Sequence, residues 1–393
     1  MLPKYYEFLN SVKIMSGENA LENIPHELKM LGAKKPIVLS DAILAKTGAV
    51  NKLLKVFNGY DIDVSETYTE IPPDSSIKVI NEIAGIFKAK GCDAILALGG
   101  GSVIDTAKGL RIVIEQGGDN IMDYMGLESL PRKARIPFAV IPTTSGTGSE
   151  CTNVAVIANP DKNVKMEYIS YDLLPDFAVI DPTMTETMPP KVTANTGVDA
   201  LVHAIEGYTC LQKNPLSQSY AFAAIRLITT YLPKAVLEGG NREYRLAMGN
   251  AATMAGIAFS NSMVGLVHAI GHALGGVAHV PHGVAMSILL PHVMKFNLET
   301  LRPAYAELLL PLAGAEVYAQ TPKEERAEKA IEFCASFIKQ FEAVGLPTTL
   351  SAANVKEEQF DAIAETAIND GASVVNPIMA TKEQIIEILK AAK

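Results

Sequence analysis

Histidines are concentrated in one stretch of the chain, and their spacing is typical of a metal site. Five of the seven histidines lie in this stretch, namely His203, His268, His272, His279 and His282. Asp199 and His203 are four residues apart in a helical pattern, so they share one helix face. His268 and His272 repeat that spacing. One carboxylate with two or three imidazoles is the ligand set of a catalytic divalent metal, but the spacing does not decide which residues bind it.

A glycine run follows a strand pattern in AILALGGGSVIDTAKGL and is typical of a phosphate-binding turn. Gly100 and Gly101 let the backbone approach a pyrophosphate without a Cβ clash, and the following helix offers free N–H groups and a positive dipole end. Ser102 is expected to cap that helix and to donate to phosphate. The run is not the usual GxGxxG fingerprint, since Ile104 stands at the third glycine position. A purely structural turn is therefore the alternative.

Two further strand ends carry polar side chains that suit NAD. Asp41 closes the strand pattern IVLS, where a carboxylate can bind ribose hydroxyls and repel the extra phosphate of NADP; its alternative role is a helix N-cap. The loop IPTTSGTGSE carries Thr143, Thr144 and Thr147, whose hydroxyls can bind phosphate or the nicotinamide end. Thr147 and Glu150 also have the spacing of a capping box. Because Asp41 precedes the glycines, a shared NAD site requires a topology unlike the ordinary Rossmann order.

The elements that must position these residues change character along the chain. Strand patterns at 36–40, 94–98 and 137–141 alternate with helical patterns such as 76–90, which predicts a parallel α/β sheet. After Asp181 strand signals nearly vanish, and helical patterns cover 193–208, 216–232, 244–259 and 323–344. The sequence therefore predicts two domains, an α/β domain at 1–185 and an all-helical domain at 186–393.

Composition narrows the classes of function. The chain has 393 residues, 48 % of them hydrophobic, and a formal net charge of -9. Basic residues form no block, which argues against nucleic acid and against a polybasic membrane anchor. Neither a signal-peptide run nor a membrane span is expected. The cysteines are scattered without a CxxC pair, which favours a reduced, cytoplasmic setting.

The longest motifs resemble one known family. The iron-containing alcohol dehydrogenases carry segments similar to GGGSVIDTAKG, IPTTSGTGSE, FAVIDPTMTETMPPKVTANTGVDALVHAIEGY, HAIGHALGG and VPHGVAMSILLPHVMKFN. The resemblance runs from about residue 5 to the C-terminus. It implies a dehydroquinate-synthase-like fold, with an α/β dinucleotide domain followed by an all-helical metal domain. It also implies that the metal ligands are Asp199, His203, His268 and His282. His272 then lies beside the metal, either supporting the ligands or relaying a proton, and His279 has a structural or cleft-lining role.

The resemblance also implies a cofactor and a metal. The cofactor is NAD, because in this family an aspartate at the position of Asp41 goes with a preference for NAD. The residues placed around it are Asp41, Gly100, Gly101, Ser102, Thr143, Thr144, Thr147, Lys165 and Met184. The metal is Fe²⁺, and Zn²⁺ is the alternative, since one aspartate with three histidines suits both ions.

The implied reaction is a reversible hydride transfer between NAD and a small primary alcohol or diol, which gives the aldehyde. The hydroxyl pKa is lowered at the metal, and His272 carries the proton away. A homodimer or larger homo-oligomer is expected. Alternatives are a lyase of the dehydroquinate-synthase type, a hydroxyacid–oxoacid transhydrogenase and a non-catalytic NAD-binding protein. The ligand region is poor in basic residues and rich in apolar ones, which favours a neutral alcohol: Met254, Ile257, Phe259, Met263 and Val264.

The segment at 370–378 departs from the family. Members often carry a cysteine and an arginine in a stretch like DxCxxxNPR, whereas these positions here are Ala372 and Ile378. This segment reaches toward the substrate side in the family, so the change leaves the identity of the alcohol open. It does not involve the metal ligands.

Overall fold

The computed structural model describes residues 3–126, 135–159 and 164–393, with only the backbone for residues 164 and 165. Contacts divide the chain into two compact units. The sheet unit consists of Asn10–Thr144 and Gly148–Thr187. The helical unit consists of Met188–Lys393 with Ser145–Thr147 and the N-terminal stretch that ends at Leu9. In the described ranges, no helix is both long and apolar enough to cross a membrane.

The sheet unit holds every strand of the described chain. In chain order the strands are β1 (Lys13–Ser16), β2 (Pro36–Leu39), β3 (Glu66–Tyr68), β4 (Ala94–Gly99), β5 (Phe138–Pro142), β6 (Val154–Asn159), β7 (Val164–Ile169) and β8 (Phe177–Ile180). Six of them form a parallel sheet in the order β1-β8-β5-β4-β2-β3, which confirms the predicted α/β class. The other two, β6 and β7, form an antiparallel hairpin that the sequence patterns did not predict.

Apolar clusters cover both faces of the parallel sheet. The helices of this unit are α1 (Ile24–Met30), α2 (Ala42–Thr47), α3 (Ala49–Lys55), α4 (Ile77–Lys90) and α5 (Gly101–Gln116). Ile95 and Ala97 of β4 belong to a cluster with residues of α4 and α5, whereas Leu96 and Leu98 belong to a second cluster with residues of α1 and α3. Successive strand residues point to opposite faces, so a strand covered on both sides is apolar throughout.

The helical unit is built around α6. Its helices are α6 (Pro190–Thr209), α7 (Pro215–Leu237), α8 (Arg242–Ser260), α9 (Leu266–Ala278), α10 (His282–Ala313), α11 (Ala315–Gln320), α12 (Arg326–Lys339), α13 (Phe360–Ile368), α14 (Gly371–Val374) and α15 (Lys382–Ala391). Contacts with α7, α8 and α10 bury most of α6. The helical patterns at 193–208, 216–232 and 244–259 correspond to α6, α7 and α8. The pattern at 323–344 is α12 with a short 3₁₀ turn at each end.

Candidate metal centre and dinucleotide edge

Three helices of the helical unit bring one carboxylate and three imidazoles together. Asp199 and His203 lie one turn apart on α6, His268 lies in the first turn of α9, and His282 is the first residue of α10. One ligand atom from each of the four lies within 4.8 Å of the others. From Asp199 Oδ1 the distances are 3.8 Å to His203 Nδ1, 3.9 Å to His268 Nε2 and 3.3 Å to His282 Nε2. We call these four residues the metal cluster.

The metal cluster leaves buried polar atoms without partners. In the described part of the chain, five buried side-chain atoms lack a hydrogen-bond partner, and three of them are Asp199 Oδ1, His203 Nδ1 and His268 Nε2. Each such atom costs about 1–3 kcal/mol if nothing satisfies it. Three of them lie close together in one cluster, so the donor set fits a divalent cation.

Burial also sets the ionisation of the metal cluster. It lowers the pKa of His203 to about 3 and that of His268 well below its usual range, so both rings are neutral and able to bind a metal. Burial opposes the charge on Asp199, but the nearby His203 and His282 hold the pKa of this carboxyl below its ordinary value. Phe259 stacks on His203 with ring centroids 4.4 Å apart, so an apolar ring lies against this side of the metal cluster.

Two carboxylates that no sequence pattern singled out orient histidines of α9. Glu206 Oε2 lies 2.6 Å from His268 Nδ1, and Asp370 Oδ2 lies 2.9 Å from His272 Nδ1. Burial raises the pKa of Glu206 to about 7, and a cation beside His268 would lower it again. Glu206 continues the helix face of Asp199 and His203 one turn further, a signal that the sequence does contain.

His272 and His279, which spacing left eligible as ligands, both lie outside the metal cluster. His272 is partly exposed, and its ring stacks on that of His282 with centroids 5.6 Å apart. His279 ends α9 in the left-handed conformation, with φ 55°. In the segment at 370–378, which differs from the family, Ala372 packs in the apolar core of the helical unit. The backbone carbonyl of Ile378 accepts a hydrogen bond from Asn376 Nδ2.

The residues predicted to bind NAD gather mainly at one edge of the parallel sheet. β4 lies between β5 and β2, so Gly100, Asp41 and Thr143 follow three neighbouring carboxyl ends. Between β2 and β4 the chain order of the strands reverses, and such a switch point is where open α/β sheets bind their ligands. This topology lets Asp41 precede the glycines in the chain and still lie at the same edge. We call this edge of the sheet, where Asp41, Gly100 and Thr143 lie, the dinucleotide edge.

The start of α5 differs from the prediction for Ser102. The N-cap is Gly100, and α5 begins at Gly101, so Ser102 is not the cap. Its hydroxyl donates to the carbonyl of Pro73 instead. The helix starts early because it follows β4 without a loop. A Cβ on Gly100 would lie 3.3 Å from Thr144 Oγ1, which leaves little space for a side chain.

Asp41 occupies the helix-capping position that was its alternative role. Its Oδ1 accepts from the backbone N–H groups of Ile43 at 2.8 Å and Leu44 at 2.9 Å, at the start of α2. A cap uses one carboxylate oxygen here, and a ribose contact would need the other. The role of Asp41 in binding ribose therefore stays a prediction.

Thr147 is not the N-cap that the alternative of a capping box with Glu150 requires. A short 3₁₀ turn begins at Ser149 after Gly148, whose backbone is left-handed with φ 60°. Buried Lys108 contacts this turn, where its Nζ donates to Ser149 Oγ at 2.9 Å and to the Thr152 carbonyl at 2.9 Å. Burial lowers the pKa of Lys108 to about 8.

The other predicted cofactor residues lie in different surroundings. Met184 is buried in the apolar cluster that also contains Val179 and Ile141. Thr147 belongs to the helical unit rather than the sheet unit. Lys165 lies in β7, and its side chain is outside the described residues.

Family comparisons match both parts of the chain. The family described as "Iron-containing alcohol dehydrogenase" matches residues 11–182, and "Fe-containing alcohol dehydrogenase family, C-terminal" matches residues 193–393. The NAD-dependent methanol dehydrogenase of Bacillus methanolicus is 38 % identical over 376 residues, which are 96 % of this chain and 97 % of the relative. The 1,3-propanediol dehydrogenase of Klebsiella pneumoniae is 35 % identical over 378 residues, 96 % of each chain. A solved 1,3-propanediol oxidoreductase has a TM-score of 0.94 at 33 % identity, covering 99 % of this chain and 100 % of that one.

These comparisons define the class of the protein, a metal- and dinucleotide-dependent oxidoreductase. Within that class, the chain belongs to the iron-containing alcohol dehydrogenase family. The predictions of this family, of its fold, of an alcohol dehydrogenase and of NAD with iron as the family's cofactors are thereby confirmed. The lyase and transhydrogenase alternatives are not favoured.

Proposed function

We propose that this chain transfers hydride between NAD and a small primary alcohol or diol, with the metal cluster holding one divalent ion. The observation that carries the proposal is the group of unpartnered buried atoms from Asp199, His203 and His268. Their separations of 3.8 and 3.9 Å from Asp199 Oδ1 are too long for hydrogen bonds among themselves. A cation between them would satisfy all three at once.

We propose Fe²⁺ as the ion, bound by Asp199, His203, His268 and His282, with Zn²⁺ as the alternative. Family membership supports iron, and the ligand set accepts either metal. His282 is the exposed ligand, with 40 % of its side chain accessible. The cluster therefore has an accessible side, which suits a catalytic site that keeps a coordination position for substrate.

The protein's own part in the reaction is to bind, orient and move a proton. A metal held by the metal cluster would supply Lewis acidity to the alcohol oxygen, and bound NAD would supply the hydride acceptor. His272 takes the hydroxyl proton and passes it toward solvent. Asp370 Oδ2 lies 2.9 Å from Nδ1 of this ring and orients the imidazole.

We propose that the dinucleotide edge binds NAD. Its backbone N–H groups at the start of α5 would face the pyrophosphate, and Asp41 would bind ribose and exclude NADP. The methanol dehydrogenase relative is NAD-dependent by name, which supports the same preference here. The proposed contacts are Asp41, Gly100, Gly101, Ser102, Thr143, Thr144, Thr147, Lys165 and Met184.

A short, uncharged alcohol is the substrate that we propose. Two of the relatives are named for methanol and for 1,3-propanediol. The apolar ring of Phe259 against His203 suits a carbon chain better than a charged group.

We further propose a cytoplasmic homo-oligomer, a dimer or a larger assembly, with domains at 1–185 and 186–393. All four cysteines are buried and unpaired, as in a reducing compartment. The change from sheet unit to helical unit at Met188 supports the domain limits. Light scattering of the purified protein and limited proteolysis test the assembly and the domain limits.

The activity is tested with protein purified without oxygen, stripped by a chelator and reloaded with Fe²⁺ or Zn²⁺. We expect NADH formation with methanol, butanol or 1,3-propanediol in the loaded protein and none in the stripped protein. Full metal occupancy without turnover of any C1–C5 alcohol or diol would contradict the proposed function.

A further inference from the structure

We infer that Glu206 is a positioning residue for the metal, because its one buried carboxylate holds both the start of α9 and the ring of His268. This inference rests on the proposed function. Glu206 is 5 % exposed and lies on α6, on the same helix face as Asp199 and His203. From this face it reaches His268, a ligand on another helix, through a hydrogen bond.

The two carboxylate oxygens of Glu206 contact different groups of α9. Oε1 accepts from the backbone N–H of Val267 at 2.7 Å. This N–H is in the first turn of α9, where no acceptor within the helix exists, and the preceding Gly265 has no side chain to cap it. Oε2 lies 2.6 Å from His268 Nδ1. One side chain thus places the helix and the ligand relative to α6.

The contact with Oε2 determines which nitrogen of His268 carries the proton. A carboxylate accepts but does not donate, so the proton of the neutral ring stays on Nδ1. The lone pair then lies on Nε2, the unpartnered atom that faces Asp199 Oδ1 at 3.9 Å. A carboxylate behind a ligating imidazole is the arrangement that fixes tautomer and ring orientation in metal sites.

An amide cannot replace this carboxylate. In Glu206→Gln one of the two positions becomes a donor. If the NH₂ group faces His268, the ring proton moves to Nε2 and blocks metal binding; if it faces Val267, two donors oppose each other in a buried place. Either orientation weakens the placement of His268.

Asn376 provides a matched control on the same helix end. Its Oδ1 accepts from the N–H of Leu266 at 3.2 Å, and its Nδ2 donates to Asn297 Oδ1 at 3.0 Å. Asn376 is 3 % exposed and, like Glu206, caps α9 from a distant part of the chain. The described contacts of Asn376 include no metal ligand. Asn376→Ala therefore removes a cap without changing the partner of His268.

The test measures the Kd of the full-length protein for Zn²⁺ and Co²⁺, and the visible absorption of the Co²⁺ form. For Glu206→Gln we expect a Kd raised about 10- to 100-fold and an altered cobalt spectrum. Glu206→Asp, which keeps an acceptor-only group on a shorter chain, should fall between Glu206→Gln and the parent. Asn376→Ala should lower the thermal midpoint but keep the parent Kd and spectrum.

Two outcomes would overturn the inference. One is a parent-like Kd and cobalt spectrum in Glu206→Gln. The other is an equal loss of affinity in Asn376→Ala, which would mean that any damage to the start of α9 is sufficient. If Glu206→Gln does not fold, the comparison of Glu206→Asp with Asn376→Ala decides. His268→Ala separates the two proposals, because retained metal there would refute the ligand set itself.

Discussion

The metal cluster is formed by side-chain atoms, whereas the dinucleotide edge is formed mainly by backbone groups and strand order. In the metal cluster, imidazole and carboxylate atoms from α6, α9 and α10 lie within 4.8 Å of one another, and most are buried. At the dinucleotide edge, the features that matter are a helix start without a loop, glycines without side chains and a strand order that reverses beside β4. The first site depends on side-chain type, and the second depends mainly on backbone and topology.

This difference predicts how substitutions act. A ligand in the metal cluster cannot be replaced by its neighbours, so one substitution should remove the metal. Binding at the dinucleotide edge is shared among several N–H and hydroxyl groups, so single changes there should weaken cofactor binding by modest factors and leave the metal in place.

The largest effect is expected from His268→Ala. Loss of this ligand, which also removes the contact of Glu206 Oε2, should lower metal affinity and turnover together by more than about 100-fold. Metal analysis after gel filtration and NADH formation measure both. The matched control is His279→Asn, because His279 is outside the metal cluster and asparagine tolerates its left-handed backbone. Full metal occupancy in His268→Ala would refute the ligand assignment.

The second largest effect is expected from His272→Asn. Removal of the proposed proton carrier should lower kcat by about 100-fold while the metal content stays at the parent value, because His272 is outside the metal cluster. Steady-state rates across pH together with metal analysis check this. Asp370→Asn should act in the same direction but less strongly. An unchanged pH–rate profile in His272→Asn would reject the relay.

A smaller effect is expected from Gly100→Ala at the dinucleotide edge. The new Cβ would lie 3.3 Å from Thr144 Oγ1 and would occupy space next to the start of α5. We expect the KM for NAD to rise about tenfold, which corresponds to about 1.4 kcal/mol, with metal content unchanged. Gly85→Ala in α4 is the control, since nothing lies within 4 Å of its new Cβ. Loss of metal in Gly100→Ala would contradict the prediction that changes at the dinucleotide edge leave the metal in place.

The smallest effect is expected from Asp41→Asn. Asparagine keeps the cap on α2 but removes the charge that would repel the extra phosphate of NADP. The ratio of kcat/KM for NAD to that for NADP should fall by about tenfold with little change in stability. Asp41→Gly removes cap and charge together and should give the same ratio. If neither variant moves the ratio, Asp41 is a helix cap and not a ribose ligand.

Much of the metal cluster could be predicted because its signal is residue type at helical spacing. The choice among five histidines could not be made from spacing, since His282 starts α10 and meets Asp199 only through the packing of three helices. The contact of Asp370 with His272 could not be predicted, because the two residues are 98 positions apart in the sequence. Glu206 could have been found, since it continues the helix face of Asp199.

The dinucleotide edge was less predictable. Its strands were found from apolar runs. Ser102 was expected to cap α5, but this was wrong, because the helix begins directly after β4. The alternative of a capping box at Thr147 fails because Gly148 is the N-cap, and buried Lys108 binds Ser149 in the turn that follows. The exact start of a helix depends on such tertiary contacts, which leave no local pattern in the sequence.

Anomalous diffraction from a crystal loaded with Fe²⁺ or Zn²⁺ would locate the bound ion. We expect one strong peak per chain at about 2.0–2.2 Å from ligand atoms of Asp199, His203, His268 and His282. A peak bound by His272 or His279 in place of one of these residues, or full occupancy of the ion elsewhere with the four side chains left as they are, would contradict it.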